Sequence, residues 1–142
     1  MGIGWLKRAS RQEAQAIRAL IPEICRRVQA EYDSWDQSGE YGDPELGFGG
    51  ICQDFADVMA EVLNAHGIEA VTQSASCGEQ HVWTVAKLED GIYMVDIPYS
   101  IYEQGGGYNW QKIPGVIFEP SDVVIEQMSP DPNEFGEYTE EY

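Results

Sequence analysis

Between Ile51 and Ile97 the chain changes its hydrophobic period once, from helical to alternating. Ile51, Phe55, Val58, Met59, Val62 and Leu63 fall on one side of a helix over about residues 51–66, with Asp54, Asp57, Glu61 and Asn64 on the other. Gly67 stands at the left-handed position that ends such a helix, preceded by His66 in the last turn. Three strand-like runs follow: Ile68–Ser74, His81–Leu88 and Ile92–Ile97. The last two flank Glu89-Asp90-Gly91, whose Asp-Gly is a strong hairpin signal.

The flanking segments attach to this frame. Residues from about 10 to 32 carry a second helical pattern through Ala14, Ile17, Ile21, Ile24, Cys25 and Val28, with Ser10 and Glu13 forming a capping box. Pro22 inside that pattern should kink or split the helix near Leu20–Ile21. From Tyr32 to Gly50 the periodicity gives way to glycines and aromatics (Tyr32, Trp35, Tyr41, Phe48), which reads as an ordered loop beside the site. Tyr99 to Trp110 is a second aromatic, glycine-rich loop, and Gly105-Gly106-Gly107 reads as a flexible connection. Gly115–Phe118 and Val123–Gln127 predict a last strand pair. From Ser129 to Tyr142 the chain is acidic and aperiodic, the pattern of a loosely held tail. One domain over residues 1–128, with its core at about 49–127 and residues 129–142 as the tail, is the expected organisation.

Charge narrows the partners. The net charge is −17, and residues 1–30 hold six of the eight basic residues against two acids, leaving −21 on the other 112. Such a body repels nucleic acid and anionic lipid and suits a basic protein partner. No apolar run reaches the roughly 20 residues of a membrane span. The opening Met1–Arg8 places its basic residues after its apolar patch, and Leu6 stands where a myristoylation motif needs Ser or Thr, so a cytoplasmic protein is expected. Cys25, Cys52 and Cys77 lack the spacing of a zinc site or a disulfide framework, and no EF-hand spacing occurs, so no metal or other cofactor is expected.

The cysteines differ in setting. Cys25 lies on an apolar helical stripe, the place of a structural thiol, and Cys77 lies in a loop. Cys52 follows Gly49-Gly50 into the first turn of a helix, where free backbone N–H groups and the dipole favour a thiolate. The glycines leave room for a substrate, and the Cys52 backbone N–H can donate to an oxyanion. His81 opens a strand and Asp96 ends the next, the residue types of a base and its orienting carboxylate. With Leu88 opposite Ile92, the hairpin puts residue 84 opposite Asp96, so simple register does not bring Asp96 squarely beside His81. His66 suits a structural role at its helix end.

Gly50-Ile51-Cys52, Phe55-Ala56, Leu63, Gly67-Ile68-Glu69-Ala70, His81-Val82-Trp83 and Val95-Asp96 together resemble the core of the transglutaminase-like superfamily of papain-fold cysteine enzymes. The resemblance spans about residues 49–97. It implies an α+β fold with the catalytic helix packed on an antiparallel sheet. It also implies Cys52 as nucleophile, His81 as general base and acid, and Asp96 as the residue orienting the imidazole. A second oxyanion donor or cleft wall is offered by Trp35, Gln37 and Tyr41 in the long loop, by Gln53 beside the nucleophile, or by Trp83.

The activity so implied is thiol-dependent acyl transfer, or hydrolysis of an amide or peptide bond, through a thioester. Hydrolysis is favoured because a chain this short has little with which to hold a second amine. The contrasting expectation is a catalytically silent protein of the same fold, presenting its acidic surface to a basic partner.

Overall fold

The computed structural model describes residues 14–35, 50–74, 81–104 and 111–138. The Ser10–Glu13 cap, most of the long aromatic loop with Gln37 and Tyr41, Cys77, the triple glycine and the last four residues lie outside them. A short helix α1 (Gln15–Arg18) leads into α2 (Ile21–Ser34), and the break falls at Ala19–Leu20 with Pro22 in the first turn of α2. A proline is tolerated there because the first N–H groups of a helix lack intrahelical acceptors, so Pro22 starts α2 and thereby splits it from α1.

Helix α3 (Gly50–Ala65) ends as its sequence requires. Gly67 adopts φ +82°, the Ile68 N–H donates to the Leu63 carbonyl and the Gly67 N–H to that of Asn64. This double bond pattern closes the helix and reverses the chain into the sheet. The Asn64 side chain then donates to and accepts from Ala70, fixing the first strand to the helix end.

The sheet is antiparallel throughout. Strands β1 (Ala70–Ser74), β2 (Val82–Leu88) and β3 (Gly91–Asp96) form a meander, followed by a separate two-stranded pair, β4 (Glu103–Gln104) with β5 (Gln111–Lys112), before β6 (Val124–Ser129). The main sheet has the order β1-β2-β3-β6. Helix α3 lies on one face, burying Phe55, Met59, Val62 and Leu63 in a cluster with Ala86, Tyr93 and Val95, and α2 packs outside α3 through Ile24 and Val28. The molecule is therefore an α+β arrangement of helices against an antiparallel sheet. Among the described residues no helix is long and apolar enough to cross a membrane.

Two expectations are corrected. Gly115–Phe118 is not a strand, because α2 side chains take up its backbone groups: Gln29 donates to the Val116 carbonyl and accepts from the Phe118 N–H, and the Tyr32 hydroxyl accepts from the Val116 N–H. The segment after Ser129 is not a loosely held tail through residue 138. Pro132–Tyr138 forms a 3-10 helix whose Phe135 is buried against Val85 and Ile92, covering the sheet face opposite α3. An acidic segment with one well-placed aromatic can still be anchored, since burying a single phenylalanine contributes about 2–3 kcal/mol.

Candidate active site

Cys52 occupies the first turn of α3, as the glycine pair before it suggests. It is not open on the surface: its exposure is 2%. Its position among the first residues of the helix leaves its backbone N–H without an intrahelical acceptor. The helix is tied to the neighbouring strand one turn further on, where the Thr84 hydroxyl, fully buried in β2, donates to the Ala56 carbonyl at 2.8 Å. That bond locks the strand following His81 against the helix bearing Cys52.

The hairpin register differs by one residue from the simple expectation, and the difference decides the geometry. Leu88 pairs with Gly91 rather than Ile92, so Thr84 faces Val95. A one-residue shift exchanges the two faces of a strand. It sets Asp96 across from Trp83, on the face His81 shares, with His81 in the diagonal position. His81 Nε2 and Asp96 Oδ2 are 2.7 Å apart, and both side chains are largely buried, at 15% and 13% exposure.

With Nε2 engaged by Asp96, the other ring nitrogen is the one left for the thiol. Among the described residues Nδ1 is buried without a hydrogen-bond partner, and the Cys52 thiol acts on the ring electrostatically. The bond to Asp96, and after it the influence of Cys52, push the His81 pKa up to about 10 against the opposing effect of burial. The imidazolium is thus the favoured form.

Tyr102 completes the group, and nothing in the local sequence marked it. Its hydroxyl donates to Cys52 Sγ at 3.4 Å. The phenol is placed by an aromatic stack: Tyr102 lies 4.4 Å from Phe55, which stacks on Trp35 at 4.6 Å and meets Phe118 edge-on at 5.4 Å. Burial, reinforced by Cys52, pushes the Tyr102 pKa far up, so the ring remains a neutral donor. A tyrosine four residues beyond a Pro98 turn carries no periodic signal; only the tertiary fold brings it to a cysteine 50 positions earlier.

The remaining candidates separate. Trp35 is 4% exposed and its indole N–H donates to Glu31 at 2.8 Å, which makes it a core residue rather than a donor to substrate. Gln53 is exposed. Trp83 stands 6.0 Å from the His81 ring, its indole Nε1 buried and without a hydrogen-bond partner among the described residues. Tyr99 flanks the imidazole at 5.5 Å. His66 pairs with Glu23 at 2.9 Å, and fourteen residues along α3 separate it from Cys52, roughly 21 Å at the helical rise. Cys25 is buried, and desolvation followed by the charge of Asp122 raises its pKa, the setting of an inert thiol. Among the described residues no group of three potential metal ligands stands together. Comparison with family models, with curated proteins and with solved structures found no match to this chain.

Proposed function

We propose that the chain is a cysteine-dependent amide hydrolase or acyltransferase of the transglutaminase-like, papain-fold type, with Cys52 as nucleophile, His81 as general base and acid, and Asp96 orienting the imidazole. The observation that carries the reading is the 2.7 Å bond between His81 Nε2 and Asp96 Oδ2.

In the proposed reaction the neutral form of His81 takes the Cys52 proton and the sulfur attacks the amide carbonyl, forming a C–S bond while the carbonyl pair moves to oxygen. The Cys52 backbone N–H, free at the start of α3, supports that oxyanion. As the intermediate collapses the C–N bond breaks, His81 delivers its proton to the departing amine, and a thioester remains. Water, deprotonated by His81, attacks the thioester and releases the acid with the thiol restored; an amine in place of water gives transfer. Tyr102 holds the sulfur through its hydroxyl, and Asp96 fixes the tautomer and supports the cation.

Trapping the acyl enzyme tests the reading. Incubation with an activated ester such as p-nitrophenyl acetate should add one acetyl group, located on Cys52 by peptide mass mapping and absent from Cys52→Ala. Acetylation elsewhere with Cys52 unmodified contradicts it. The low exposure of Cys52 favours one rival, a silent acidic module for a basic protein. That reading requires a stoichiometric partner whose binding survives Cys52→Ala combined with His81→Ala.

A further inference from the structure

Acyl transfer needs hydrogen-bond donors aimed at the oxygen that gains charge, and the described residues offer few. The Cys52 backbone N–H, at the start of α3, is one. The Thr84 hydroxyl is engaged by the Ala56 carbonyl, the Trp35 indole by Glu31, and Trp83 packs against the cluster of Val85, Ile92 and Phe135. The Tyr102 hydroxyl is the side-chain donor that reaches the nucleophile itself, 3.4 Å from Cys52 Sγ.

Its position is fixed from two directions. The Tyr102 N–H donates to the Tyr99 carbonyl at 3.1 Å, and the Tyr102 carbonyl accepts from the Ile113 N–H at 2.9 Å. The ring is 1% exposed and lies 4.4 Å from Phe55, three residues after Cys52 on the same helix. Positions three apart share a helix face, so one element places both the ring's neighbour and the thiol. Rotation about the Cζ–O bond is the freedom the hydroxyl keeps. Burial holds the phenol in its protonated form, the form that can donate.

Attack by Cys52 changes which atom is the better acceptor. A sulfur electron pair becomes the C–S bond and the carbonyl pair moves onto oxygen, which gains negative charge while the sulfur is left a weak acceptor. That oxygen stands two bonds from the sulfur, where a hydroxyl 3.4 Å from Sγ can serve it by turning. A hydrogen bond to an ionised oxygen is roughly twice as strong as one between neutral groups. The contact is therefore stronger in the transition state than before it, which is the condition for accelerating the step.

We propose that the Tyr102 hydroxyl is the second oxyanion donor, bonded to Cys52 Sγ at rest and passing to the carbonyl oxygen as the C–S bond forms, beside the Cys52 backbone N–H. The inference rests on the reading of Cys52 as nucleophile and adds a catalytic residue to it.

Two reagents that meet the same sulfur by different chemistry test it. With iodoacetamide the sulfur displaces iodide, which leaves with its bonding pair, and no oxyanion forms. With p-nitrophenyl acetate the sulfur adds to the carbonyl, an oxyanion forms, and p-nitrophenolate departs with its bonding pair. Rates at Cys52 in the full-length protein are read by peptide mass mapping, and the ratio of acetylation to alkylation is normalised to that of free cysteine. A change in sulfur nucleophilicity moves both rates and cancels from the ratio. The wild-type ratio should exceed that of free cysteine at least tenfold. Tyr102→Phe should lower it at least tenfold, since removing one oxyanion donor costs about 10²–10³ in rate. Tyr138→Phe, which removes a hydroxyl from the segment on the far face of the sheet, should leave the ratio unchanged.

Alkylation of Cys52 with a wild-type ratio no better than free cysteine leaves no oxyanion stabilisation for Tyr102 to supply and overturns the proposal, as does a Tyr102→Phe ratio equal to the wild type. An equal fall in Tyr138→Phe also overturns it. Failure of both reagents to modify Cys52 in the native protein overturns the nucleophile itself, and the oxyanion donor with it.

Discussion

His81 and Asp96 meet through Nε2 and Oδ2 at 2.7 Å because Thr84 pairs with Val95, a register that sets both residues on one face of the sheet. The bond makes the imidazolium the favoured form, with its pKa raised to about 10. Since this folded-state value lies above the ordinary one near ~6.5, the stabilisation it brings is complete below about pH 6.5 and fades as the pH rises through 10. Replacing Asp96 with Asn should therefore lower stability at pH 6 and make little difference at pH 10.5. NMR titration of His81 should show its pKa falling by at least one unit in the variant; an unchanged titration would contradict the pairing.

The Tyr102 hydroxyl donates to the sulfur and so restrains its electrons. A net hydrogen bond of about 0.5–1.5 kcal/mol corresponds to roughly a twofold to tenfold effect. Tyr102→Phe should stay folded, since the ring and its stacking on Phe55 remain, while the plateau rate of Cys52 alkylation at high pH rises within that range. A fall in the plateau rate would assign the phenol an activating role instead.

Phe135 tests the docking of the C-terminal segment. Its ring is 7% exposed against Val85 and Ile92. Phe135→Ala should cost about 2–4 kcal/mol in urea unfolding, within the range for large-to-small core substitutions. A loss below about 0.5 kcal/mol would return the segment to the status of a tail.

Asp54 carries a cost of folding. Burial, then the charges of Glu31 and Asp57, raise its pKa to about 6. The folded state thus holds that proton more tightly than the unfolded chain, so the penalty is absent below about pH 4 and complete above about pH 7. Asp54→Asn should raise the thermal midpoint at pH 7.5 and leave it nearly unchanged at pH 4; the reverse pH order would contradict the burial assigned to this carboxyl.

Much of this arrangement was legible in the sequence, for reasons that are local. The apolar stripe of α3, its stop at Gly67 and the Asp90-Gly91 hairpin depend on near neighbours, and they carry Cys52, His81 and Asp96 in order. The register was not legible to the residue. Whether the turn takes two residues or three changes which face Asp96 occupies, and that choice involves β6: a Cβ on Gly91, which adopts φ +150°, would meet the Ser129 carbonyl at 2.4 Å. Tyr102 and Phe135 were missed because each acts across the fold from a segment without periodicity. Gly115–Phe118 misled because its short run of β-branched and aromatic residues satisfied a strand pattern while α2 side chains, not a neighbouring strand, held its backbone.

The role of Cys52 is tested by competitive alkylation of the native protein with substoichiometric iodoacetamide, the three cysteines being resolved by peptide mass mapping in the wild type and in His81→Ala. The proposed chemistry predicts that Cys52 is modified first at pH 7, and that His81→Ala slows it at least tenfold with the fold intact by circular dichroism. Cys25 or Cys77 reacting first while Cys52 stays inert, or a Cys52 rate indifferent to His81, would contradict it.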